Sequence, residues 1–167
     1  MADSLVVEQR SDLGMASVMG RNGIDPAAIG RALYIEMPVG PRASFAGRRT
    51  VIGTGPGTWL VIEDGAAADF ADALEEELVG LASVSDQSSG YVVQRLSGAG
   101  APLVLQRGAA IDFHPSVFGA GSAATTVIAH IGVIIWQVDA RPTYDVATFR
   151  SFAGSFRHWL DASAAAL

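Results

Sequence analysis

The chain has 167 residues, half of them apolar, with a net charge of -6 and no cysteine. That composition supplies a core and argues against disorder. The acidity sets the chain against nucleic acid as a partner, and the missing thiols exclude a cysteine nucleophile, disulfides and Cys-ligated zinc or iron–sulfur. All eleven cations are arginine, which excludes Schiff-base chemistry. The early acid in Met1-Ala2-Asp3-Ser4 and the lack of a long apolar run argue against a signal peptide or a membrane span. The expected location is cytoplasmic.

Residues 1–30 are rich in Gly, Ala and Ser and show no sustained period. They are expected to form an arm, partly irregular, with a short helix before Gly20. A strand is expected over Ala32–Ile35, then a Pro- and Gly-rich loop over Pro38–Gly47. Thr50–Ile52 and Trp59–Ile62 predict a β-hairpin around Gly53-Thr54-Gly55-Pro56-Gly57. A helix follows over Ala67–Leu81. Its stripe is Phe70, Leu74, Leu78 and Leu81, and Glu75, Glu76 and Glu77 lie mostly off it.

Strands are expected over Ala82–Ser85 and Tyr91–Leu96, then a short helix over Ala99–Gln106 and a loop at Ile111–Pro115. Three strands come next: Ala123–Ala129, Val133–Val138 and Tyr144–Ala147. The first two are β-branched and nearly continuous, which suggests burial on both faces. The last helix, Arg150–Ala162, carries Phe149, Phe152, Phe156, Trp159 and Leu160 as an apolar stripe. From the hairpin onward the order is β-β-α-β-β-α-β-β-β-α. It predicts an α+β fold of ferredoxin-like pieces, with mostly antiparallel sheet covered by helices. Residues 31–167 are expected to form one domain of two halves, about 31–81 and 82–167.

Few residues suggest chemistry. Gly53–Gly57 lacks the lysine of a phosphate loop and leads into a strand, so it reads as a hairpin turn. Ser97-Gly98-Ala99-Gly100 opens a helix with Pro102 in its first turn, which fits a plain strand-to-helix connection. His114, His130 and His158 have no metal-binding spacing. Asp86 is placed like a general base at a strand end, but Asp86 and Ser88 fit turn hydrogen bonds better. No serine lies in a Gly-x-Ser-x-Gly elbow. No catalytic, cofactor-binding or metal residue is assigned.

Two blocks carry a resemblance. Gly55-Pro56-Gly57-Thr58-Trp59-Leu60 is similar to a G-P-x-x-W-L block, and Val84-Ser85-Asp86-Gln87-Ser88, continuing to Gly98, to a V-x-D-x-S block. Both are features of the γ subunits of heterotetrameric sarcosine oxidases. Asp112-Phe113-His114-Pro115 and the Phe152–Leu160 helix follow in that family's order, so the resemblance spans about Leu33 to Leu160. The chain is short for the family. That family in turn resembles the folate-binding part of aminomethyltransferases.

The resemblance implies a non-catalytic, structural γ-type subunit with no cofactor of its own. It implies α, β and δ subunits as partners, carrying NAD, FAD, FMN, tetrahydrofolate and zinc. The assembly would demethylate sarcosine or a related N-methyl amino acid and pass the carbon to tetrahydrofolate. The alternatives are a free-standing folate-binding or aminomethyl-transferring protein and an independent small binding domain with no partner.

Overall fold

A computed structural model describes residues 5–167. The chain forms two compact units. One is continuous, Asp12–Ser89; the other combines the residues up to Ser11 with Gly90–Leu167. Each unit holds one five-stranded, wholly antiparallel sheet.

Of the segment expected as an arm, residues 1–4 lie outside the described residues, and the rest is largely regular instead. Val6–Gln9 is β1 and Leu13–Gly20 is β2. In β2, Met15, Ala16 and Val18 are all at most 1% exposed. Gly14, Ala16 and Ser17 are small, so the two-residue alternation of a strand barely registers in the sequence. β2 is held on both sides, by β5 and β6, and β1 pairs with β7.

The expected strand Ala32–Ile35 is the end of a helix, α1, Pro26–Leu33. Asp25 caps it by accepting a 2.9 Å bond from the Ala27 N–H, and Pro26 takes the first turn, where no backbone donor is needed. Tyr34 stops the helix in a left-handed conformation, φ 54°.

In the continuous unit the strand order is β3-β4-β5-β2-β6. β3 is Ala43–Ala46, β4 Arg49–Gly55, β5 Thr58–Asp64 and β6 Ala82–Asp86. β3 falls inside the stretch expected to be loop. The hairpin β4–β5 is as expected. The helix α2 is shorter than its stripe suggested, Phe70–Glu77. Phe70, Leu74 and Leu78 are buried with Ile29 and Leu33 of α1 and with Val18, Val51 and Val61 of the sheet. One face of this sheet therefore meets both helices.

The other unit orders its strands β1-β7-β10-β9-β8. β7 is Tyr91–Ser97, β8 Ala123–Ile128, β9 Ile131–Asp139 and β10 Thr143–Phe149. The helices α3, Gly100–Gly108, and α4, Ala153–Ala164, cover one face. Their Val104, Leu105, Phe156 and Leu160 pack with Leu96, Ile135, Tyr144 and Val146.

Two expectations fail here. β8 is an edge strand, so Val127 and Thr125 are exposed rather than buried on both sides. The last helix starts later, after a 3-10 turn at Arg150–Phe152, and Phe149 and Phe152 are about half exposed. The stripe breaks because the 3-10 turn does not keep the 3.6-residue phase of α4. No helix among the described residues is long and apolar enough to cross a membrane.

Candidate functional site

The features singled out in the sequence lie on separate elements. Of the expected turn Gly53–Gly57, Gly53 to Gly55 end β4 and only Pro56-Gly57 make the turn to β5. Gly57 has φ 63°, and Gly53 serves a different need. A Cβ there would strike the carbonyl oxygen of Gly40, which crosses directly over the strand. The Gly53 N–H donates to the Arg42 carbonyl at 2.9 Å. Close by, the Trp59 indole donates to the Pro38 carbonyl at 2.9 Å. The glycines thus let the 38–42 segment lie against β4, and the stretch is scaffold.

Asp86 and Ser88 do meet, as turn partners. Asp86 Oδ1 accepts the Ser88 N–H at 2.8 Å. Those Ser88 bonds hold the Asp86 carboxyl below its ordinary range. A carboxylate stabilised in its charged form is a poorer base. The Ser88 hydroxyl accepts from the Met15 N–H at 3.0 Å and donates to the Met15 carbonyl at 3.3 Å, tying the turn to β2.

Gly98 has φ 98° and its N–H donates to the Pro142 carbonyl, so this connection is also structural. His114 Nδ1 lies 2.7 Å from the Ser116 hydroxyl in the loop after α3. His130 sits in the β8–β9 turn with φ 67°, and His158 is exposed on α4. Among the described residues no three His, Asp or Glu side chains gather as a metal site.

Two features escaped the sequence. The first is a buried charge cluster. Asp145, 1% exposed, stands in the middle of β10. Arg95 of β7, directly opposite in register, donates twice at 2.7 Å, and Arg10 donates at 2.9 Å. A buried carboxylate needs such partners. A lone acid between Tyr144 and Val146 was the available signal.

The second is an open cleft of about 690 Å³ beside the end of α1. Tyr34 and Val39 line it at 90% and 86% exposure, with Ile35, Met37, Arg31 and Glu36. Tyr34 is doubly unusual, a bulky residue with positive φ and with its ring in solvent. The strand-like run Ala32–Ile35 hides this signal in the sequence.

The model of the sarcosine oxidase, gamma subunit family matches residues 21–166. The chain is 34% identical over 155 residues to the sarcosine oxidase subunit gamma of Corynebacterium sp. (strain P-1), covering 90% of this chain and 73% of that one. It is 30% identical, with the same coverage, to that of Corynebacterium sp. (strain U-96).

Among solved structures, a heterotetrameric sarcosine oxidase from Corynebacterium sp. U-96 in complex with pyrrole 2-carboxylate superposes with a TM-score of 0.88. That match is 23% identical and covers 99% of this chain and 86% of the other. The aminomethyltransferase T of the glycine cleavage system from Bartonella henselae superposes at 0.69 and 12% identity, over 95% of this chain and 45% of that one. Both likenesses bear on the fold, and both agree with the expected α+β class.

Proposed function

The chain belongs to the sarcosine oxidase gamma subunit family, and from that premise we propose that it is the non-catalytic γ-type subunit of a heterotetrameric sarcosine oxidase. The observation that carries this reading is the family match across residues 21–166. The local chemistry supports it. Asp86 is spent on a turn, His114 on a loop bond, and Asp145 on two arginines.

In this reading the redox and folate chemistry belongs to the partner chains. The α, β and δ subunits hold NAD, FAD, FMN, tetrahydrofolate and zinc. The assembly works in the cytoplasm on sarcosine or a related N-methyl amino acid, with tetrahydrofolate as carbon acceptor. This chain shapes and stabilises that assembly.

Co-expression with the neighbouring oxidase subunits tests the proposal. The chain should co-purify with them, and sarcosine-dependent oxygen uptake should fall when it is left out. The isolated chain should neither turn over sarcosine nor bind tetrahydrofolate in a calorimetric titration. Tight folate binding by the chain alone would instead support a free-standing folate protein, as its aminomethyltransferase-like fold allows.

A further inference from the structure

Asn22 is the chain's single asparagine, and Gly23 follows it. The two occupy the centre of a reverse turn after β2. The Ile24 N–H closes the turn on the Arg21 carbonyl at 3.0 Å, and Gly23 has φ 80°. Both residues are exposed, and nothing lies within 4 Å of where a Gly23 Cβ would stand. Among the described residues, the Gly23 N–H has no hydrogen-bond partner.

We propose that Asn22-Gly23 is a site of spontaneous covalent modification through a succinimide. The Gly23 nitrogen attacks Cγ of Asn22. The bond from Cγ to Nδ2 breaks, and ammonia leaves with the proton released by the amide. Water then opens one of the two ring carbonyls, giving aspartate or isoaspartate. No oxidant or reductant takes part. Glycine favours the step because no side chain shields the attacking nitrogen and its backbone turns freely.

The chain supplies its own comparison at Asp64-Gly65. That dipeptide is exposed and also has a glycine of positive φ, 60°. Its Gly65 N–H, however, donates to the Asp12 carbonyl at 2.7 Å. The nitrogen is held away from the neighbouring carboxyl, so this second site is guarded while the first is open.

The product matters for the adjacent helix. Isoaspartate moves one carbon from side chain to main chain and lengthens the link between β2 and Asp25, the cap of α1. Either product adds a negative charge there.

The test is prolonged incubation of the folded full-length chain in mildly alkaline buffer. Ammonia release, intact mass and labelling by an isoaspartyl methyltransferase are followed together, and peptide mapping locates the change. The expected result is labelling at residue 22 in step with ammonia, at a rate within a few-fold of that in denaturant. Asn22→Gln should abolish both signals, and Asp64-Gly65 should label only in denaturant. The proposal is overturned if residue 22 reacts in denaturant but not in the folded chain, or if the folded chain labels at residue 64 instead.

Discussion

Replacing Gly53 by alanine tests the close crossing of the 38–42 segment over β4. The added Cβ would fall far inside contact distance of the Gly40 carbonyl oxygen, with the Gly40 carbonyl carbon at 3.2 Å. The obstacle is backbone, so it cannot swing aside as a side chain would. Separating the segments also stretches the Gly53–Arg42 hydrogen bond of 2.9 Å. Overpacking of this kind costs about 3 kcal/mol, at the upper end of the usual range. For a chain of 167 residues that lowers Tm by about 6–12 °C.

Gly55 is the matched control. It lies two residues along the same strand, with nothing within 4 Å of its Cβ position and no positive φ. Gly55→Ala should stabilise by about 0.4–1 kcal/mol, because alanine narrows the unfolded ensemble. Urea denaturation of the two variants beside the parent provides the assay. Equal stabilities for Gly53→Ala and Gly55→Ala would refute the crossing.

Asp145→Ala should cost about 3 kcal/mol, the lower end for breaking a buried pair because both guanidiniums reach solvent; adding Arg95→Met should recover part of it in a thermal melt. Tyr34→Gly should stabilise the isolated chain by about 1 kcal/mol, since it removes the left-handed strain and loses only a residue that is 90% exposed at the rim of the cleft; an unchanged or lower midpoint contradicts this. Asp86 has a lowered folded-state pKa, so its stabilising effect is present above the unfolded value and lost as pH falls through the folded one. Asp86→Asn should therefore be less stable than the parent at neutral pH, by under about 1 kcal/mol at so exposed a site, and the gap should close in acid. Phe156→Ala should cost about 3–5 kcal/mol, whereas Phe152→Ala, at a site 48% exposed, should cost only about 1 kcal/mol, as calorimetry can show.

The parts of the fold legible in the sequence were those with strong periodicity or strong punctuation. β4 and β5 flank a Gly-Pro-Gly turn, and their Val, Ile and Trp side chains left little doubt. The helix stripe at Phe70, Leu74 and Leu78 behaved likewise. β2 was hidden because glycine, alanine and serine fill its faces, so neither face looks apolar. α1 was misplaced because Leu33-Tyr34-Ile35 reads as strand unless the Asp25-Pro26 start is counted first. Phe149 and Phe152 looked like core because a run of aromatics at spacings of three and four ignores the 3-10 turn between them.

The sites divided on the same lines. The turn roles of Asp86 and Ser88 are local and followed from spacing. The Asp145 cluster joins residues 10, 95 and 145, and only strand register brings them together.

The chain's path through its two units bears on the order in which they form. β1 must wait for β7, since Val6 pairs with Ser97. A nascent chain has made all of Asp12–Ser89 before that partner exists. Within the continuous unit, Ala16 pairs with Asp86, so its folding draws together the two points where the chain leaves it. The long loop that β1 and β7 must close is thereby shortened in advance, and much of its closure entropy has already been lost. Synthesis and topology run in the same direction: the whole continuous unit is made before β7, and its closure shortens the loop that β1 and β7 must bridge. A lesion in the continuous unit, such as Gly53→Ala, would then slow the pairing of β1 with β7.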